Sequence, residues 1–264
     1  MIAILGAGKM GEALLSGLLK AGRPADEVAA VVRRPERAQE LRSAYGIPLL
    51  SLAEAAKQAG TLVIAVKPQD MGRMLDELSG LVTADQLVIS IAAGITTSFI
   101  EQRLAVQAPV VRVMSNTPAL VDEAMSVISA GSFAGEEHLH RTEELLRPLG
   151  KVIRIPEYQQ DAATALSGSG PAYVFYLVEA MVDAGILLGM PRQTALEMVT
   201  QTVYGAATML RDSGAHPVIL RDAVTSPAGT TIAAVRELEK HGVRAAFLAA
   251  IEAARDRGRE LGGA

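Results

Sequence analysis

"MIAILGAGKMG", Met1 to Gly11, is the stretch on which the fold turns. An apolar run, Ile2–Leu5, leads directly into Gly6, and Gly6, Gly8 and Gly11 fall at G-x-G-x-x-G spacing. Glycines at this spacing arise by chance, so the context carries the argument. Here the motif follows a strand pattern and opens a helical one. In that setting the first glycine permits a tight turn and the second lets a pyrophosphate approach the backbone. The third lets the helix pack close to the strand. The helix start adds unpaired N–H groups and a partial positive charge, an anion site. The expected dinucleotide contacts are Gly6, Gly8, Lys9, Met10 and Gly11.

Beyond this unit, short β-branched runs alternate with amphipathic stretches up to about residue 155. The expected strands are Ile2–Leu5, Val28–Val32, Thr61–Val66, Leu87–Ala92, Val110–Met114, Met125–Ser129 and Val152–Ile155. The helical patterns between them are Met10–Ala21, Pro35–Tyr45, Leu52–Ala59, Met71–Gly80, Thr97–Leu104 and Glu136–Leu149. Such alternation predicts βαβ units and a mostly parallel sheet. After Pro156 only helical patterns remain: Ala172–Leu188, Arg192–Arg211, Val218–Val224, Thr231–His241 and Arg244–Leu261, punctuated by glycine and proline. The expected division is therefore residues 1–157, an α/β dinucleotide-binding domain, and residues 158–264, an all-α domain.

Val174 to Met190 is the most apolar stretch, but it carries Glu179 and Asp183 one turn apart. Acids are costly in lipid, so a buried helix is expected rather than a membrane span. The first two helices of the second half are apolar on most faces. That predicts burial against a second copy of the chain, with packing inside one chain as the alternative.

The 264 residues are 50% hydrophobic, which supports a substantial folded core. A net charge of -4 gives no general attraction to nucleic acid. With no cysteine, disulfides, thiolate metal sites and cysteine nucleophiles are excluded. A cytoplasmic setting is expected, since no basic leader precedes an apolar run at the start.

In NAD sites an acid about 20 residues past the glycines commonly bonds the ribose 2′-hydroxyl. Here the second strand ends Val31-Val32-Arg33-Arg34-Pro35-Glu36-Arg37. Guanidinium groups match phosphate oxygens, so NADPH is favoured over NADH, with Arg33 and Arg34 as the 2′-phosphate contacts. Ala65-Val66-Lys67-Pro68 and Ala93-Gly94 close the next two strands on the edge where α/β sheets take ligands. They are further expected cofactor contacts, the second pair leaving room for a nicotinamide ring.

The helical half is poor in acids and bases. From Tyr158 onward its one lysine is Lys240, and its histidines are His216 and His241, all near helix ends. An iminium ion, already protonated, accepts hydride without a strong general acid. It needs orientation, a partner for its nitrogen and a grip on any carboxylate. "TSPAGTT", Thr225 to Thr231, offers four hydroxyls between two helical patterns. Ser226 suits a cap, Pro227 the first helical position, and Gly229 an unusual backbone angle. Successive N–H groups there would form a carboxylate cradle, leaving a threonine hydroxyl for an imine nitrogen; an ordinary helix cap is the alternative.

These residues resemble the pyrroline-5-carboxylate reductase family along the whole chain. The resemblance rests on Gly6–Gly11, Val66-Lys67-Pro68, Asn116-Thr117-Pro118, Leu166–Tyr173, Gly189-Met190-Pro191-Arg192 and, most specifically, Leu220–Thr231. It implies a Rossmann domain, an all-helical domain interlocking in a homodimer, dimers joined into larger rings, and NAD(P)H-dependent reduction of 1-pyrroline-5-carboxylate to proline. Carried over, Ser226 and the N–H groups of Gly229, Thr230 and Thr231 would bind the substrate carboxylate. The Thr231 hydroxyl would hydrogen-bond the ring nitrogen, and Asn116 would join the cofactor contacts. No metal is implied.

The chain departs from the family pattern at four places. Ser115 stands where proline is usual, Asp122 and Ala124 replace glycines, and Ala228 stands where a second glycine is common. Ala228 is a mild change only if alanine can adopt its backbone angle. Two rival readings remain: reduction of another cyclic imino acid, where one methylene discriminates by only about 1–3 kcal/mol, and a non-catalytic NADP(H)-binding sensor.

Overall fold

The structure is a computed structural model, and it describes residues 1–262. Its first strand, β1 (Ile2–Leu5), is apolar at every position because helices cover both of its faces. Ile2 and Ile4 enter one core, Ala3 and Leu5 the other. β1 pairs in parallel with β2 (Val28–Val31) on one side and with β3 (Thr61–Ile64) on the other. β4 (Leu87–Ser90), β5 (Val110–Met114), β6 (Ala124–Ala130) and β7 (Gly150–Arg154) complete one seven-stranded sheet of order β2-β1-β3-β4-β5-β6-β7. All pairs are parallel except β5–β6.

Six helices flank the sheet: α1 (Lys9–Lys20), α2 (Pro35–Tyr45), α3 (Leu52–Gln58), α4 (Met71–Leu78), α5 (Thr97–Glu101) and α6 (Glu136–Leu146). Leu14, Leu15, Leu41, Leu145 and Leu146 place α1, α2 and α6 in one core. Ala55, Met74, Leu75 and Ile100 place α3, α4 and α5 in the other. Each such side chain removed from water stabilises the fold by roughly 1.5–3 kcal/mol. β2 and β3 lie on opposite sides of β1, so the connections diverge there. The crevice of a doubly wound sheet opens where the connections part, beyond the carboxyl ends of β1 and β3.

All seven expected strands form. Four end earlier than expected: Ile155 lies just past β7, and at the ligand-binding edge Val32, Ala65–Val66 and Ile91–Ala92 lie past the ends of β2, β3 and β4. The residues at that edge turn out of the ladder. Residues 157–168 carry structure that periodicity did not reveal. α7 (Gln160–Ala163) and a π-helical turn at Thr164–Gly168 follow a short 3-10 turn. Buried polar groups pin this segment to the sheet. Gln160 is fully buried and its Nε2 donates to Ser129 Oγ at 2.9 Å. Arg112, buried on β5, meets Asp161 at 3.3 Å and Glu157 at 3.5 Å.

By its internal contacts the chain forms two units, Met1–Ser169 joined by the chain from Ala254 onward, and Gly170–Ala253. Of the expected second domain, Gly263 and Ala264 lie outside the described residues. The five expected helices of that half are α8 (Gly170–Leu187), α9 (Arg192–Ser213), α10 (Pro217–Ala223), α11 (Thr230–Lys240) and α12 (Val243–Gly262).

The expectation of burial against a second copy, rather than inside one chain, fits the structure. The apolar stretch 174–190 is not buried within a single chain: of α8 only Val182 is buried, while Phe175 is 66% and Leu187 88% exposed. The helices α8 and α9 pack on each other, and one neighbour cannot cover a helix that is apolar all round. Packing inside one chain, the alternative to a dimer interface, does not supply the burial.

Candidate active site

The three glycines of the first loop do three different jobs. Gly6 sits at φ +92°, and a Cβ there would lie 2.9 Å from Val66 Cγ1. Gly11 packs so close that a Cβ would lie 2.5 Å from the carbonyl oxygen of Gly6. Gly8 is the opposite case, with nothing within 4 Å of a would-be Cβ. It is the N-cap of α1, carries no side-chain cap, and so leaves the first N–H groups of the helix facing open space. The loop is fixed at its base, where the Gly6 N–H donates to Val31 O at 2.9 Å and the Ala65 N–H to Leu5 O at 2.8 Å. Around it lies a cleft of about 540 Å³, lined by Gly6, Gly8, Val32, Arg33, Arg34, Ala65, Val66 and Lys67 among others. An open, uncapped helix start beside a run of arginines fits a dinucleotide's pyrophosphate and ribose phosphate.

Two expected contacts stand elsewhere. Lys9, the first residue of α1, lines a separate hollow with Glu12, Lys20, Tyr45 and Asp122. Met10 packs its side chain against the core. Each can offer the cleft only its backbone.

The arginines are unequal. Arg37 donates from Nε to Ala7 O at 3.1 Å and from Nη1 to Glu40 at 2.9 Å, and it also pairs with Glu12. Its pKa is raised from the ordinary value, first by the hydrogen bond to Glu40 and then by that to Glu12. Glu12 also accepts from Tyr45 Oη at 3.1 Å, and burial foremost pushes that phenol's pKa up. Arg37 thus braces the glycine loop through Ala7 while lining the same cleft. Arg33 lies 3.6 Å from Asp70, and Arg34, the N-cap of α2, has no ion-pair partner among the described residues. Asp70 lines the cleft and is a residue that reading the sequence missed. Its one signal was its place just past Lys67-Pro68-Gln69, on the exit of the strand beside the arginines.

A second cleft of about 720 Å³ in the same unit is lined by Pro68, Ala93, Gly94, Phe99, Asp161 and Arg257. Of the expected contacts it gathers Pro68, Ala93 and Gly94, while Ala65, Val66 and Lys67 line the first cleft, and Gly94 at φ +76° makes the turn there. Asn116 is 9% exposed, and its amide is engaged within the protein. Its Nδ2 donates to Ser167 O at 3.1 Å, and its Oδ1 accepts from the Met125 N–H at 3.0 Å. The loop that departs from the family pattern is therefore anchored, with Ser126 Oγ donating to Ser115 Oγ at 2.9 Å as well. Asp122 sits at φ +61°, the left-handed region, and its carboxylate meets Lys20 at 3.0 Å.

In the helical unit the loop before α11 corrects three details. Pro227 is not the first helical residue, because α11 begins at Thr230 with Gly229 as its N-cap. Ser226 does not cap that helix, since the N-cap makes no side-chain hydrogen bond. Gly229 has an ordinary φ of -78°, and Ala228 carries the left-handed angle at +58°. The physical reason is a turn closed by the Gly229 N–H on Ser226 O at 3.1 Å, which puts Ala228 at its third position. Gly229 is required for space instead: a Cβ there would collide with Ser226 Oγ. The early N–H groups of α11 are left without a protein cap, beside the exposed hydroxyls of Ser226 and Thr230 and the half-buried one of Thr231. His216 caps α10, and His216, Lys240 and His241 are all exposed.

A relative from Corynebacterium melassecola, a pyrroline-5-carboxylate reductase, is 43% identical over 99% of this chain and 98% of its own length. The chain belongs to the pyrroline-5-carboxylate reductase family. The family's dimerisation model matches residues 157–261, and an NADP oxidoreductase, coenzyme F420-dependent model matches residues 1–94. Among solved structures, the pyrroline-5-carboxylate reductase of Coxiella burnetii superposes with a TM-score of 0.93 at 34% identity, covering 98% of this chain and 97% of that one. The Plasmodium falciparum pyrroline carboxylate reductase, solved with NADP bound, gives 0.88 at 28% identity over 99% and 97% of the two chains. A pyrroline-5-carboxylate reductase carrying a dimerisation domain also accounts for the exposed apolar faces of α8 and α9, which lie within the matched residues.

Proposed function

We propose that this chain is a pyrroline-5-carboxylate reductase that forms proline from 1-pyrroline-5-carboxylate with NADPH. The observation that carries the reading is the uncapped start of α11, set beside three hydroxyls and led by a glycine whose Cβ would displace Ser226 Oγ. It supports a carboxylate site on the N–H groups of Thr230 and Thr231 with Ser226 Oγ; the Gly229 N–H, expected to join them, is spent on Ser226 O instead. The substrate's C=N nitrogen is held by the Thr231 hydroxyl. The protonated imine needs no separate acid, in keeping with a helical half whose histidines and lysine are exposed. The chemistry a bound NADPH supplies is a hydride for the C=N carbon. Gly6, Gly8 and Gly11 with the backbone of Lys9 and Met10 hold the pyrophosphate. Arg33 and Arg34 hold the 2′-phosphate, while Ala65 to Pro68, Ala93, Gly94 and Asn116 shape the nicotinamide side. Holding reactants in line is itself worth a large share of such a barrier, about 7–11 kcal/mol in the best oriented cases.

Residues 1–157 form the cofactor domain of this proposal, and residues 158–264 the dimerisation and substrate domain. The protein works in the cytoplasm as a homodimer, with dimers assembling into larger rings. The test is NADPH oxidation with 1-pyrroline-5-carboxylate, run beside NADH and a six-membered cyclic imine. Fast turnover of the five-membered ring supports the reading. Preference for the six-membered ring would reassign the substrate, and binding of NADPH without any turnover would favour a sensor.

A further inference from the structure

The arginine run was read as free of an opposing acid, because the end of β2 carries none. The fold brings one in from the next strand. Asp70 follows β3, lines the same cleft as Arg33 and Arg34, and places Oδ1 3.6 Å from Arg33 Nη1. The same oxygen accepts from Arg73 Nη2 at 3.1 Å, so Asp70 stays anchored if Arg33 turns away. Asp70 precedes α4 but makes no side-chain cap, which leaves the arginines as its partners. Of the three guanidinium groups near the β2 exit, Arg37 is held by Glu12, Glu40 and Ala7 O. Arg34 has no ion-pair partner among the described residues, and Arg33 is the one in contention.

We infer that Asp70 sets how strongly this chain prefers NADPH over NADH, by competing with the 2′-phosphate for Arg33. The inference rests on the proposed placement of the dinucleotide in this cleft. A phosphate arriving at Arg33 has to displace a carboxylate, whereas a ribose hydroxyl does not. Arg34 still grips the phosphate, so the preference is attenuated rather than reversed. Asp70 is a positioning residue: it acts through Arg33. Arg33 and Asp70 side chains are 50% and 37% exposed, and ion pairs at that exposure shift equilibria by about one and a half- to five-fold.

The experiment is calorimetric titration of the full-length protein with NADP+ and, separately, NAD+. Asp70→Asn keeps the shape and removes the charge. It is expected to tighten NADP+ roughly two- to five-fold, leave NAD+ unchanged and leave Tm unchanged. The gain shrinks as salt screens the pair, and it disappears when Asp70→Asn is made on an Arg33→Ala background. An equal change for both cofactors, or an unchanged NADP+ affinity, would overturn the inference, as would a gain of full size without Arg33. Failure of the unmodified protein to bind either cofactor would defeat the placement of the dinucleotide, and the inference with it. Normal binding with no effect of Asp70→Asn would defeat the inference alone.

Discussion

Replacing Ala228 by glycine should make the protein more stable. Ala228 is exposed and holds φ +58° at the third position of the turn from Ser226 to Gly229, where a residue without Cβ is favoured. An L-residue in the left-handed region costs roughly 1–2 kcal/mol. Glycine removes that cost but restores about 0.5–1 kcal/mol of freedom to the unfolded chain. The net expectation for Ala228→Gly is a gain of about 0.5–1 kcal/mol, or roughly 1–4 °C in Tm for a chain of this size. Thermal unfolding at fixed protein concentration reads it, because the Tm of a dimer depends on concentration. Asp122→Gly is the matched contrast. Its φ of +61° is nearly the same, but aspartate tolerates that region better and its carboxylate pairs with Lys20 at 3.0 Å. It should therefore be near neutral. A lower Tm for Ala228→Gly, or a larger gain at Asp122 than at Ala228, would refute the strain argument.

Thr231→Ala removes the hydroxyl proposed for the ring nitrogen; kcat should fall, a hydrogen bond to a charged group being worth about 1.5–3 kcal/mol, while NADPH affinity in a direct titration stays within about two-fold. An unchanged kcat would remove Thr231 from the mechanism. Arg33 and Arg34 both changed to glutamate should move the ratio of kcat/KM from NADPH towards NADH, and no movement would mean that the 2′-phosphate is read elsewhere. Phe175, 66% exposed on α8, should become glutamate only at the expense of the dimer. Sedimentation of Phe175→Glu is expected to show monomer or aggregate, and an intact dimer would place the interface on another face.

Much of this was legible because it is local. Ile2–Leu5 with Gly6, Gly8 and Gly11 form one continuous strand-turn-helix, and parallel strands buried on both faces leave unbroken apolar runs. Arg33 and Arg34 could be read because they end a strand. Asp70 could not, because what matters is its distance to a residue on another strand's exit, and pairing order is not written in either segment. The linker from residue 157 to 168 was opaque for a related reason. Its helical turns are fixed by Gln160 and Asp161 reaching Ser129 and Arg112, partners far away in the chain. For α8 the all-round apolar pattern pointed to burial against a second copy, and the dimerisation match covers it. Its apolar faces record neighbours that a single chain does not contain.

The loop before α11 shows why a motif's residues can be right when their reasons are wrong. A Pro-Ala-Gly sequence suggests that glycine takes the unusual angle, yet the helix starts at Thr230 and shifts the register by one. Alanine then bears the angle, while glycine is kept because Ser226 Oγ occupies the space its side chain would need. The two constraints have different consequences for chemistry. Strain at Ala228 is a matter of stability, since the proposed donors, the N–H groups of Thr230 and Thr231, belong to the helix that follows the turn. Crowding at Gly229 is a matter of function, because any side chain there pushes Ser226 away from those donors. In the proposed site, donor placement is the main contribution of the protein to the reacting ring. The bare edge of Gly229, more than any single hydroxyl, is what the carboxylate site depends on.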